Sequence, residues 1–185
     1  LTAQQIHDLI VHKVNKYGAR AFSFNDLDFL VGNNLGINRA IELCELIIKS
    51  KDIGLIPKEV KFSCQTRVGN FLLKEEGSQH GSKKILNHKL LKAMVTAGFH
   101  NVSMGIETFS DRLLKAPSID KAGITAEDCE QGLQGFFIYG LYPTINLILL
   151  IPESKPEDLI QTLYRAMEYI DKPIQLSSYP IMRMF

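Results

Sequence analysis

Two hydrophobic periods alternate along the chain. Short runs of the strand type fall at 20–24 (RAFSF), 60–64 (VKFSC), 101–106 (NVSMGI), 144–151 (TINLILLI) and 173–178 (PIQLSS). Helical patterns lie before and between them. Ile6, Leu9, Ile10, Val14 and Tyr17 share one helical face, which Gly18 is placed to end. Asn38 is positioned to cap a helix through about Ser50 that buries Ile41, Cys44, Ile47 and Ile48. Asn87 opens a helix with Leu90, Leu91, Met94 and Val95 inward and Gly98 at its end. Thr125 begins the box-like TAED and a helix to Gly140. Pro156 suits a first helical turn, with Leu159, Ile160, Leu163, Met167 and Ile170 behind it.

Strand and helix recurring at roughly 40 residues is the signature of βα units, and right-handed crossovers make such strands parallel. The class is therefore α/β. The first strand is not followed by a Gly-rich phosphate loop, so an incomplete TIM-like barrel of βα units, with about five strands present, is favoured over a doubly wound sheet. Residues 70–87 (NFLLKEEGSQHGSKKILN) break the rhythm with a polar middle and predict a mobile loop, with a helical turn at Phe71–Lys74.

Composition narrows the field. The 185 residues, 45% hydrophobic and 22% charged, suffice for one sizeable core and a single domain. Net charge is +1, with cations and anions interspersed, so nothing marks a nucleic-acid or membrane partner. No apolar run approaches the roughly 20 residues of a membrane helix and no signal peptide is visible, which makes a cytoplasmic location the default. Cys44, Cys64 and Cys129 are odd in number and far apart, so they read as reduced thiols rather than a disulfide framework or a zinc site. His7, His12 and His80 likewise fit surface or packing roles, and no metal site is expected.

Candidate chemistry gathers at the strand ends. Asn25, Asp26 and Asp28 follow the first strand, and Gln65, Thr66 and Arg67 the second. Glu107, Thr108 and Ser110 follow the third, Glu153 and Ser154 the fourth, Ser178 and Tyr179 the fifth. In a parallel barrel these positions share the C-terminal rim, where barrel enzymes assemble their sites. A carboxylate there requires a partner, since burying one unpaired costs several kcal/mol; Arg67 or a ligand hydroxyl or ammonium qualifies for Glu107. A structural ion pair on the rim explains Glu107 and Arg67 equally well, and Glu153 suits a first-turn helix position.

The phrases FSFNDLDF (22–29), KFSCQTRV (61–68), LLKAMVTAGFHNVSMGIETFSDRLLK (90–115) and NLILLIPESKPEDLIQTL (146–163) add identity to position. In order and spacing the chain resembles radical S-adenosylmethionine enzymes, in particular the branch that often carries a cobalamin-binding domain. Its third-strand mark, an aliphatic residue followed by Gly-Ile-Glu-Ser, is here Met104, Gly105, Ile106, Glu107 and Thr108. The resemblance implies that Glu107 lies at the S-adenosylmethionine site, with Ser110 and Glu153 on the same side. It implies that Arg67 offers a bidentate fork to the methionine carboxylate. Asp26, Asp28 and Gln65 fall on the substrate side. Leu27 stands where the family has a second acid, and Pro152, Glu153 and Ser154 replace its Pro-Gly-Glu-Thr.

The family's [4Fe-4S] cluster is held by Cys-x3-Cys-x2-Cys, which Cys44, Cys64 and Cys129 cannot supply. That motif belongs to the first βα unit, ahead of the helix with which residues 1–185 begin. The expectation is thus the C-terminal portion of a catalytic barrel, inert by itself. Its parent would cleave S-adenosylmethionine reductively to start radical chemistry on a small-molecule or peptide substrate, with cobalamin a further candidate cofactor. A missing first strand also predicts an open edge beside residues 20–24, able to pair with a second copy. The alternatives are a barrel enzyme working without iron and a noncatalytic barrel that only binds.

Overall fold

The computed structural model describes residues 1–31, 33–74, 84–121 and 123–179. In chain order the elements are α1 (Ala3–Tyr17), β1 (Ala21–Phe24), α2 (Asn34–Asp52), β2 (Lys61–Arg67), β3 (Leu72–Lys74), β4 (Lys84–Leu86) and α3 (His88–Ala97). There follow β5 (Phe99–Glu107), α4 (Asp111–Leu114), α5 (Ala126–Tyr139), β6 (Tyr142–Ile148), α6 (Pro156–Met167) and β7 (Gln175–Tyr179).

One sheet holds five strands in the order β1-β2-β5-β6-β7, every pair parallel. The fold is α/β, an open part-barrel with β1 and β7 as its two edges. Alternation along β2, β5 and β6 divides the sheet into two faces. Phe62, Cys64, Val102, Met104, Ile106, Ile145 and Leu147 are buried in the core with α2, α3 and α5. The opposite face carries Ser63, Gln65, Asn101, Ser103, Thr144 and Asn146. Phe22, Phe24, Phe29, Phe62 and Phe99 pack together beneath the β1–β2 end, with Phe24 and Phe29 centroids 4.7 Å apart. Phe29 is therefore the anchor that holds the loop after β1 onto the core.

Several boundaries differ from the sequence expectation. Asn33, not Asn38, caps α2: its side chain accepts from the Gly36 N–H, and Asn38 lies exposed inside the helix. Both asparagines precede apolar positions, so the pattern alone does not choose between them. The turn expected at Phe71–Lys74 is a 3-10 turn at Val68–Phe71 followed by β3, which pairs antiparallel with β4 in a small separate ribbon. The remainder of that excursion, 75–83 with His80, lies outside the described residues.

Helix α1 buries Ala3, His7, Ile10 and Val14 and leaves Leu9 and Tyr17 exposed, because His7 turns inward to meet the Ser50 hydroxyl of α2 at 2.7 Å. Helix α6 departs further. It buries Asp158, Thr162 and Ala166, while Ile160, Leu163 and Met167 are exposed, as is Ile170 beyond its end. Asp158 and Thr162 are tied to the chain just after β5, and those bonds fix the rotation of the helix against its apolar stripe. Among the described residues no helix is long and apolar enough to cross a membrane.

Candidate functional site

The last residues of β5 leave the regular ladder. Gly105 pairs with Asn146 and Glu107 with Leu147, so Ile106 and Glu107 face a single partner residue across a bulge. Glu107 has φ +68, left-handed backbone that costs a non-glycine residue roughly 1 kcal/mol or more. Bulge and backbone together turn its side chain back over the strand: a Cβ at Gly105 would meet Glu107 Oε1 at 2.5 Å and Lys121 Nζ at 3.3 Å. Gly105 is glycine because the carboxylate occupies that space.

Lys121, from the segment between α4 and α5, closes the arrangement. Its ammonium donates to Glu107 Oε1 at 3.0 Å and to the Gly105 carbonyl. The Lys121 side chain is 9% exposed and that of Glu107 22%, so the pair is mostly dry yet open on one side. That opening is a cleft of ≈ 340 Å³ whose lining includes Leu27, Gln65, Arg67, Glu107, Lys121 and Asn146. A carboxylate and an ammonium, with carboxamides beside them, present acceptors and donors to a polar ligand. Leu27, 88% exposed, together with Ile119 and Ile148 supplies apolar wall.

Arg67 lines this cleft but is not the partner of Glu107. Its Nε lies 3.7 Å from Asp28 Oδ2, and its side chain is 67% exposed. Asp28 is occupied on its other oxygen by Thr66 at 2.6 Å and Asn70 at 2.8 Å, which fixes the loop after β1 rather than presenting a carboxylate to the cleft. Asp26 is exposed and borders a second cavity of ≈ 220 Å³, which Gln65 and Leu27 share with the first. Gln65 thus stands between the two.

Ser110 and Glu153 are placed elsewhere. Ser110 is 1% exposed; its hydroxyl donates to Asp158 at 2.6 Å and accepts from the first turn of α4. Glu153 accepts from the Ser118 hydroxyl at 2.9 Å. Asp158 also pairs with Arg112, and the Arg112 guanidinium, with help from Ser110 and the Lys155 N–H, holds its carboxyl down at about 2. This group is a buckle between α6 and the chain after β5.

Lys121 is the residue that sequence reasoning missed. It lies 14 positions beyond Glu107 in a loop without periodicity, where a lysine reads as solvated. The one sequence signal is the demand of the strand-end carboxylate for a cation.

The three cysteines lie on α2, β2 and α5, all free and buried. Burial pushes the Cys44 and Cys129 thiols up to about 12 and raises that of Cys64 as well, the opposite of what thiolate ligation requires. Among the described residues no group of three or more His, Cys, Asp or Glu side chains is placed to hold a metal ion. These residues do not fit an iron-sulfur cluster.

No protein-family model and no curated protein matches the chain. Solved structures do. The radical S-adenosylmethionine methyltransferase TsrM from Kitasatospora setae, with cobalamin and a [4Fe-4S] cluster bound, superposes with a TM-score of 0.73 at 15% identity, over 95% of this chain and 28% of that one. The cobalamin-dependent S-adenosylmethionine radical enzyme OxsB, with aqua-cobalamin bound, gives 0.68 at 20% identity over 89% and 22%. Coproporphyrinogen III oxidase from Escherichia coli, a radical S-adenosylmethionine enzyme, gives 0.58 at 16% over 96% and 37%. The fold is that of the radical S-adenosylmethionine enzymes, and the chain spans between about a fifth and two fifths of the length of these structures.

Proposed function

We propose that residues 1–185 form the S-adenosylmethionine-binding part of a radical enzyme, with the Glu107 cleft as the ligand site. One observation carries the reading: in a fold matching these enzymes, the strand-end Glu107 is held in left-handed backbone over Gly105 by Lys121, at the mouth of a cleft. Backbone strain of this kind clusters at active sites and ligand clamps.

The chain's own residues have distinct parts in this reading. Glu107 accepts from a ligand hydroxyl or ammonium, Lys121 holds that carboxylate in place by its hydrogen bond, and Gln65 and Asn146 complete the polar side. Leu27, Ile119 and Ile148 displace water along the apolar side. Arg67, mostly exposed at the same mouth, is free to swing toward a carboxylate. Bound S-adenosylmethionine would supply a sulfonium open to reductive cleavage, and Cys44, Cys64 and Cys129 do not fit the cluster that would provide the electron. TsrM and OxsB point to cobalamin as an additional cofactor of the whole enzyme.

Titration calorimetry with S-adenosylhomocysteine, which keeps the nucleoside and amino-acid ends, tests the site. Saturable binding is expected, weakened about tenfold in Glu107→Gln, the cost of one charge-assisted hydrogen bond. Unchanged affinity in Glu107→Gln overturns the placement of the site. No binding to the folded wild-type chain overturns the reading itself.

A further inference from the structure

Parallel sheets are ordinarily apolar on both faces, and barrel interiors are filled by branched aliphatic side chains. Here the face turned away from the helices is polar across its width. Strand register sets its residues in rows: Ser23, Ser63, Asn101 and Tyr142 in one, Gln65, Ser103, Thr144 and Gln175 in the next, Arg67, Gly105, Asn146 and Ser177 above. Neighbours bond to one another, Asn101 to Thr144 at 3.1 Å and Asn146 to Ser103 at 2.9 Å. Ser63, Asn101, Ser103, Thr144 and Ser177 on this face are half-buried, and next to β1 it forms the ≈ 220 Å³ cavity bordered by Asn25, Asp26, Ser63, Gln65, Asn101 and Ser103.

We infer that this inner face binds an uncharged small molecule bearing several hydroxyl or amide groups, and that Ser63, Gln65, Asn101 and Ser103 select it. Hydroxyls and carboxamides both donate and accept, so covering them with an apolar group strands their hydrogen bonds at roughly 1–3 kcal/mol each. An apolar occupant is disfavoured on that ground. The cavity's lining contains one charged side chain, the exposed carboxylate of Asp26, which repels anions and accepts from hydroxyls; the cation of the upper row, Arg67, lies outside that lining, 3.7 Å from Asp28. What remains is a neutral ligand rich in both donors and acceptors.

The inference rests on the radical-enzyme reading only in making this ligand the substrate, since the cavity adjoins the Glu107 cleft through Gln65 and Leu27. Binding itself is separable from it.

The test is an NMR titration of the isotope-labelled chain with three probes: N-acetylglucosamine, its 6-phosphate and indole. N-acetylglucosamine is expected to shift the Ser63, Asn101 and Ser103 amides saturably, and its 6-phosphate to bind more weakly. Ser103→Ala, which leaves the sheet intact, and Asn101→Leu should each weaken binding about tenfold, the factor for one lost hydrogen bond. Preference for indole or the phosphate, or no shift on this face with any probe, overturns the inference. S-adenosylhomocysteine titrated in parallel separates the two: its failure beside successful sugar binding removes the radical-enzyme reading and leaves the neutral-ligand site standing.

Discussion

Gly105 and Asp158 show what single residues decide here. The atoms that a Gly105 Cβ would strike are the far ends of two flexible side chains, so Gly105→Ala is expected to change stability by less than about 1 kcal/mol while expelling Glu107 from its position. Thermal melting and S-adenosylhomocysteine titration together check this: a near-wild-type melting temperature with at least about tenfold weaker binding is the expected result. Asp158 governs acid behaviour instead. Its folded carboxyl lies at about 2 against an ordinary value of 3.8, so its contribution is complete above the ordinary value and is lost as pH falls through the folded one. Melting curves from pH 7 to pH 2 should therefore show Asp158→Asn less stable than wild type at neutral pH, with the gap narrowing between about pH 4 and pH 2. A gap that stays constant would show that Arg112 does not stabilise the charged carboxylate in the fold.

Elements were readable from the sequence wherever one residue type has one local use. Gly18, Gly98 and Gly140 each stop a helix in left-handed backbone, Thr125 makes its capping box with Asp128, and Pro156 sits in the first turn of α6. Ambiguity entered where two residues offered the same chemistry, as Asn33 and Asn38 do before α2. Asn33→Ala should cost about 1 kcal/mol in chemical denaturation, and Asn38→Ala should stay within about 0.5 kcal/mol of wild type. Equal losses would return the cap to the later position. Rotation of α6 was not readable at all, since its polar residues outvote the apolar stripe only through partners around fifty positions away, Thr108 and Ser110.

At the scale of the whole molecule, the five-strand α/β order and the rim of strand-end residues follow from periodicity, and the open part-barrel agrees with the solved radical S-adenosylmethionine enzymes. The rim positions alone do not separate ligand contacts from internal bonds: Asp28 and Ser110 sit at strand ends like Gln65 and Glu107, yet their hydrogen bonds are spent within the fold. Only the three-dimensional approach of Lys121 tells these cases apart. The sheet order has a further consequence. Because each strand lies beside the one that precedes it in the sheet and in the chain, no strand waits for a later segment to be inserted between it and its neighbour. Synthesis proceeds from the N-terminus at about 5–20 residues per second, slowly compared with the formation of local structure. Each βα unit can dock on a finished surface as it leaves the ribosome, and the Glu107 site is completed only when β6 arrives with Leu147, the residue against which the bulge forms.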